Sequence, residues 1–155
     1  QMKFDCIIDR VDLGEGMKAF ILDYKTGRVL PTAKAVSDGE KLQLPLYILA
    51  LEEMFPDITC VGAGYYAIGS EMGIVPMLAD KESKDLMGEI GTKRCVNDHY
   101  RQILEDIRKK LGHILSGMMN GEYHPSSTGK GCGTTCDYYT ICRFNELRLL
   151  SRGGI

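Results

Sequence analysis

The sequence predicts a mixed α/β domain that ends in a cysteine-rich tail. Three observations carry this. Two strand-like apolar segments open the chain around a glycine-rich turn, a second pair follows a helical stretch, and a long amphipathic run precedes the cysteines. The chain has 155 residues, is 44% hydrophobic and 26% charged, and so can bury a real core in one globular domain.

Phe4 to Val11 reads as a strand, Asp12-Leu13-Gly14-Glu15-Gly16 supplies turn chemistry, and Lys18 to Lys25 reads as the second strand of an antiparallel hairpin. Apolar residues fall on both faces of both strands, so each is expected to be buried on two sides with helices over the sheet. Thr26-Gly27 breaks the second strand. A polar loop holding Lys34, Ser37, Asp38 and Gly39 then leads to a helix from about Lys41 to Met54, with Pro45 tolerated in its first turn. Val61 to Ile68 and Ile74 to Met77 form a second hairpin across Gly69–Gly73. Lys81 to Val96 shows no clear period. His99 to Asn120 places Ile103, Ile107, Leu111 and Ile114/Leu115 at helical spacing.

A net charge of −2 excludes a protein that binds nucleic acid through a broad basic surface. The longest apolar runs, such as Leu46 to Leu51, fall far below the roughly 20 residues of a membrane span, so no membrane role is expected. The chain enters strand-like sequence almost directly after Gln1, as a fragment of a longer protein would. Cys6, Cys60 and Cys95 are scattered, whereas Cys132, Cys136 and Cys142 are clustered, which points to metal ligation in a reducing, cytoplasmic compartment. The expected organisation is a core over residues 1–125 and a Cys-rich tail over 126–155.

Charged residues inside apolar strands are the anomaly to explain, because burying them is costly unless they are paired or metal-bound. Asp23 and Lys25 lie two apart and leave the same face of their strand, roughly 7 Å apart along it. Asp9 can face them from the neighbouring strand. Two carboxylates and a lysine can hold Mg²⁺ or Mn²⁺ through Asp9, Asp23 and the backbone carbonyl of Tyr24, with the lysine acting on water. A buried Asp-Lys ion pair satisfies the same pattern. Gln43 and Tyr47, four apart on the next helix, can approach the same point.

These blocks, Ile7-Ile8-Asp9-Arg10-Val11-Asp12, Ile21-Leu22-Asp23-Tyr24-Lys25-Thr26-Gly27 and Leu42-Gln43-Leu44-Pro45-Leu46-Tyr47, resemble the PD-(D/E)XK nuclease superfamily and its RecB-like group in order and spacing. The resemblance implies a restriction-endonuclease-like core: a mixed β-sheet flanked by helices. It also implies metal ligands at Asp9 and Asp23, a catalytic lysine at Lys25, and Gln43 and Tyr47 lining the site. Asp12 reads as support for Arg10. The group's upstream helices, which bring a further acidic or histidine ligand, have no counterpart before Gln1.

Cys132-x3-Cys136-x5-Cys142 provides three soft ligands for zinc or for an iron-sulfur cluster, and spacing alone puts zinc slightly ahead. The RecB-like resemblance implies a [4Fe-4S] cluster with a fourth cysteine elsewhere. Arg28 and Lys34, just after Lys25, are candidate contacts for a phosphate backbone. The basic groups along the last helix, Arg101 and Arg108-Lys109-Lys110 among them, read as a solvated face.

The expectation is a Mg²⁺- or Mn²⁺-dependent deoxyribonuclease domain, exonuclease or endonuclease, belonging to a helicase-nuclease or a related DNA repair and recombination protein. DNA and a motor domain or subunit are its expected partners. The competing expectation is a module that keeps the fold and binds DNA without turnover.

Overall fold

A computed structural model describes residues 5–27, 29–69, 72–83 and 98–122. Strand β1 (Arg10–Leu13) and strand β2 (Lys18–Lys25) are joined by a short 3₁₀ turn over Glu15–Met17. Helix α1 (Ala33–Ser37) and helix α2 (Gln43–Met54) follow, then β3 (Thr59–Ala67), β4 (Gly73–Ala79) and the long helix α3 (Tyr100–Met119). The sheet order is β1-β2-β3-β4. β1 and β4 pair antiparallel with their neighbours, and the central β2–β3 pair is parallel. Parallel strands need a crossover, and α1 and α2 supply it.

One face of the sheet carries the main core. Ala19 and Ile21 of β2 cluster with Ala63 and Tyr65 of β3, Val36 of α1, Leu44, Tyr47, Ile48 and Leu51 of α2, and Tyr100 and Leu104 of α3. Phe20 and Leu22, on the alternate face, are buried with Ile74 packed against them. β2 is therefore buried on both sides, as expected of a central strand.

β1 departs from expectation. It begins at Arg10 instead of Phe4; residues 5–8 are not strand, and Ile7 is 83% exposed. Among the described residues it is an edge strand with β2 as its neighbour, so its apolar alternation is not enclosed on both faces. The segment expected to be a polar loop instead contains α1. Thr32 caps it by accepting the Ala35 N–H on its hydroxyl oxygen, Val36 anchors it in the core, and Gly39 follows it at φ 66°.

β4 lies at the other edge, where Pro76 can sit without breaking a central ladder. Facing it, Gly64 is required by contact: a Cβ there would lie 2.7 Å from the Val75 carbonyl oxygen and 2.9 Å from the Pro76 Cα.

α3 is tied to the sheet by polar contacts as well as packing. The Tyr100 hydroxyl donates to the Cys60 carbonyl at 3.0 Å, and Arg101 pairs with both Glu52 carboxylate oxygens at 2.8 and 3.0 Å. Glu52 also accepts the Cys60 N–H at 2.9 Å, so Arg101 belongs to an inter-element junction and not to a merely solvated face. The chain forms two compact units, Gln1–Gly112 and His113–Ile155. Among the described residues no helix is long and apolar enough to cross a membrane.

Candidate active site

Alternation along β2 puts Asp23 and Lys25 on the face already occupied by Ala19 and Ile21. Both residues lie at the C-terminal end of β2. Asp23 is 3% exposed. Its Oδ2 lies 2.7 Å from Lys25 Nζ in an ion pair, off the ideal hydrogen-bond direction. Close contact with Asp23 holds the Lys25 ammonium above the ordinary lysine range, against the opposing effect of burial.

Gln43 links the two. Its Oε1 accepts from Lys25 Nζ at 3.0 Å, and its Nε2 donates to Asp23 Oδ1 at 2.8 Å and to the Tyr47 hydroxyl oxygen at 3.0 Å. A donor-only ammonium at one end and an acceptor-only carboxylate at the other fix which way the amide points. Gln43 and Tyr47 meet because they lie four apart in the first turns of α2. A cleft of about 500 Å³ opens beside them, bordered also by Asp5, Cys6, Leu46 and Arg108.

Asp9 precedes β1 at a bend, and its Oδ2 accepts the Tyr24 N–H at 2.9 Å. The last ladder pair is Arg10 with Leu22, so continuing the register by one residue sets Asp9 opposite Asp23. Asp12 grips Arg10 with both oxygens, at 2.7 and 3.0 Å, in the supporting role expected of it.

The donor chemistry suits a small hard cation. Asp23 offers a buried carboxylate whose Oδ2 faces the Lys25 ammonium, and Asp9 offers a second carboxylate from the adjoining segment. Among the described residues no group of three or more acidic, histidine or cysteine side chains gathers to hold a metal. Mg²⁺ is commonly bound through one or two carboxylates, with water completing its shell, so two carboxylates meet its needs.

Of the other expected residues, Lys34 lies on α1 and pairs with Asp38 one turn away. Arg28, Cys132, Cys136 and Cys142 lie outside the described residues. Cys6 is exposed, while Cys60 is buried, its thiol pushed up to about 12 chiefly by burial.

Sequence reasoning missed Tyr65. It is the β3 partner of Asp23 in the parallel register and lies beneath Lys25, with Nζ 5.4 Å from the ring centroid. The Tyr65-Tyr66 doublet was visible in the sequence, but only the cross-sheet register distinguishes which of the two faces the lysine.

A hairpin feeding a parallel crossover, with an acid and a lysine at the strand end and a glutamine reaching back from the crossover helix, defines a nuclease-like α/β core. The chain belongs to the PD-(D/E)XK nuclease superfamily, whose family model matches residues 1–143. Superfamily members are in general metal-dependent nucleases that typically use Mg²⁺ or Mn²⁺. No curated protein and no solved structure matches the chain significantly.

Proposed function

We propose that this chain is a RecB-like deoxyribonuclease domain that hydrolyses phosphodiester bonds with Asp9, Asp23, Lys25, Gln43 and Tyr47. One observation carries the reading: a buried carboxylate, Asp23, and a lysine held 2.7 Å from it stand together at one strand end, with Gln43 hydrogen-bonded to both. A buried ion pair is a poor source of stability, so this one calls for a role other than packing.

Asp23 and Asp9 would hold the cation, together with the Tyr24 carbonyl. When bound, the cation neutralises phosphate charge and lowers the pKa of bound water. The Lys25 ammonium faces the same point and can orient the attacking water or bind a phosphate oxygen. Gln43 keeps Lys25 and Asp23 in mutual register, and Tyr47 steadies the Gln43 amide. Arg28 and Lys34 are proposed contacts for the flanking phosphates.

The proposal extends to context. The chain would be the C-terminal part of a cytoplasmic helicase-nuclease or related repair protein, with Cys132, Cys136 and Cys142 holding a [4Fe-4S] cluster and a fourth ligand elsewhere. Support for this is the sequence alone: the three motif blocks and the clustered cysteines.

Incubation of the full-length protein with single- and double-stranded DNA tests the activity. Cleavage should require Mg²⁺ or Mn²⁺, stop with chelator, and be lost in Lys25→Ala. Metal-independent cleavage, or cleavage unchanged by that substitution, rejects the assignment; binding without cleavage favours the non-hydrolytic module. Anaerobically purified protein should be brown, and a colourless zinc-loaded sample would replace the cluster with zinc.

A further inference from the structure

Among the described residues, three groups lie close to Lys25 Nζ. Asp23 offers Oδ2 at 2.7 Å, Gln43 offers Oε1 at 3.0 Å, and the Tyr65 ring lies with its centroid 5.4 Å from Nζ. In the proposed function Asp23 Oδ2 is the oxygen a cation would take. Gln43 is exposed, at the first residue of α2, on a side chain with several rotatable bonds. Tyr65 is firmly held and is no cation ligand: it is 2% exposed, its strand is flanked by β2 and β4, and it belongs to the main core cluster.

An ammonium over an aromatic face is attracted by the ring quadrupole, and the attraction strengthens as water is excluded. Tyr65 is also rigid in a way lysine is not, since two torsions fix its ring while four carbons separate the ammonium from the backbone. The parallel register explains why this residue meets Lys25. Asp23 pairs with Tyr65, and Lys25 leaves the same face two residues further along β2.

We infer that Tyr65 is a positioning residue of the active site, its ring face holding the Lys25 ammonium at the point where the phosphodiester is cut. The inference rests on the assignment of Lys25 as catalytic. Its function requires the ring and not the hydroxyl, so Tyr65→Phe should preserve it. Tyr65→Leu and Tyr65→Met, which keep apolar bulk but remove the π face, should not.

Two measurements test this. In the metal-free full chain carrying ¹³C-lysine, with Lys25 assigned by its absence in Lys25→Arg, the Lys25 side-chain protons should resonate upfield of the other lysines. That shift should persist in Tyr65→Phe and vanish in Tyr65→Leu and Tyr65→Met. In cleavage assays Tyr65→Leu and Tyr65→Met should lower kcat by about tenfold with KM for DNA unchanged, while Tyr65→Phe stays within about twofold. An unshifted Lys25 in the wild type, or ringless variants that fold and cleave at the wild-type rate, overturns the inference. Should Tyr65→Leu fail to fold, Tyr65→Met and the wild-type shift decide. Absence of cleavage by the wild type would instead count against the nuclease reading, and the resonance shift would still report where Lys25 is held.

Discussion

The Asp9 carboxylate accepts the backbone N–H of Tyr24 at 2.9 Å, one residue beyond the last ladder pair between β1 and β2. A side chain thus takes over from the backbone where the hairpin ladder ends. It also brings a negative charge to the strand end that carries Asp23.

The two roles of Asp9 are separable. Asp9→Asn retains an acceptor for Tyr24 but removes the charge, whereas Asp9→Ala removes both. Chemical denaturation should find Asp9→Asn within about 0.5 kcal/mol of wild type and Asp9→Ala lower by about 1 kcal/mol. Calorimetric titration with Mg²⁺ should show both weakened. Full Mg²⁺ affinity in Asp9→Asn would remove Asp9 from the ligand set.

Gln43→Leu deletes the bridge between Lys25 and Asp23 while preserving helix α2 and its apolar contacts. Cleavage should fall by about 10- to 100-fold, the scale of a misplaced reacting group, and stability by about 1–3 kcal/mol, because the buried Asp23 Oδ1 loses its donor. Single-turnover cleavage and thermal unfolding of the same sample check this.

Tyr100→Phe removes the 3.0 Å bond to the Cys60 carbonyl. Arg101 still donates to that oxygen at 3.3 Å, so the carbonyl is not orphaned. Urea denaturation should register a loss near the low end for a buried hydrogen bond, about 1 kcal/mol.

Gly64→Ala forces a methyl group against the backbone of β4, which cannot yield as a flexible side chain would. A loss of about 1–3 kcal/mol is expected, with faster amide exchange along β4.

Cys6 and Cys60 should differ sharply toward alkylating reagents. Cys6 is exposed and reacts in the folded protein; Cys60 is buried, with its thiol pushed up to about 12 from an ordinary value of 9.0, and reacts only on unfolding. As pH rises past the ordinary value, the unfolded chain loses the Cys60 proton while the folded chain keeps it. Stability contributed by this thiol is therefore intact below about pH 9 and declines toward pH 12. Mass mapping of alkylated peptides and denaturation across that range test both statements, and Cys60→Ala should flatten the alkaline decline.

The local parts of the site were readable in one dimension. Asp23 and Lys25 share a face because side chains alternate along any strand, and Gln43 meets Tyr47 because a helix returns every fourth residue to one side. Turn and helix chemistry likewise placed β2, β3, β4 and the two longer helices to within about two residues, whereas β1 begins six residues later than expected. Helix α1 escaped because five residues give too short a window for a period to show, although Thr32 and Val36 were its cap and anchor.

Sequence by itself determined the acid-lysine pair, the helix that reaches back to it and the α/β order of the elements, since each follows from spacings of a few residues. Tertiary structure decided that β1 is a short edge strand with Ile7 exposed, that Arg101 joins Glu52 across 49 positions, and that Tyr65 and not Tyr66 lies under Lys25. Those outcomes depend on which strands become neighbours and in what register. Moving the pairing by a single residue would turn every side chain of β3 to the opposite face.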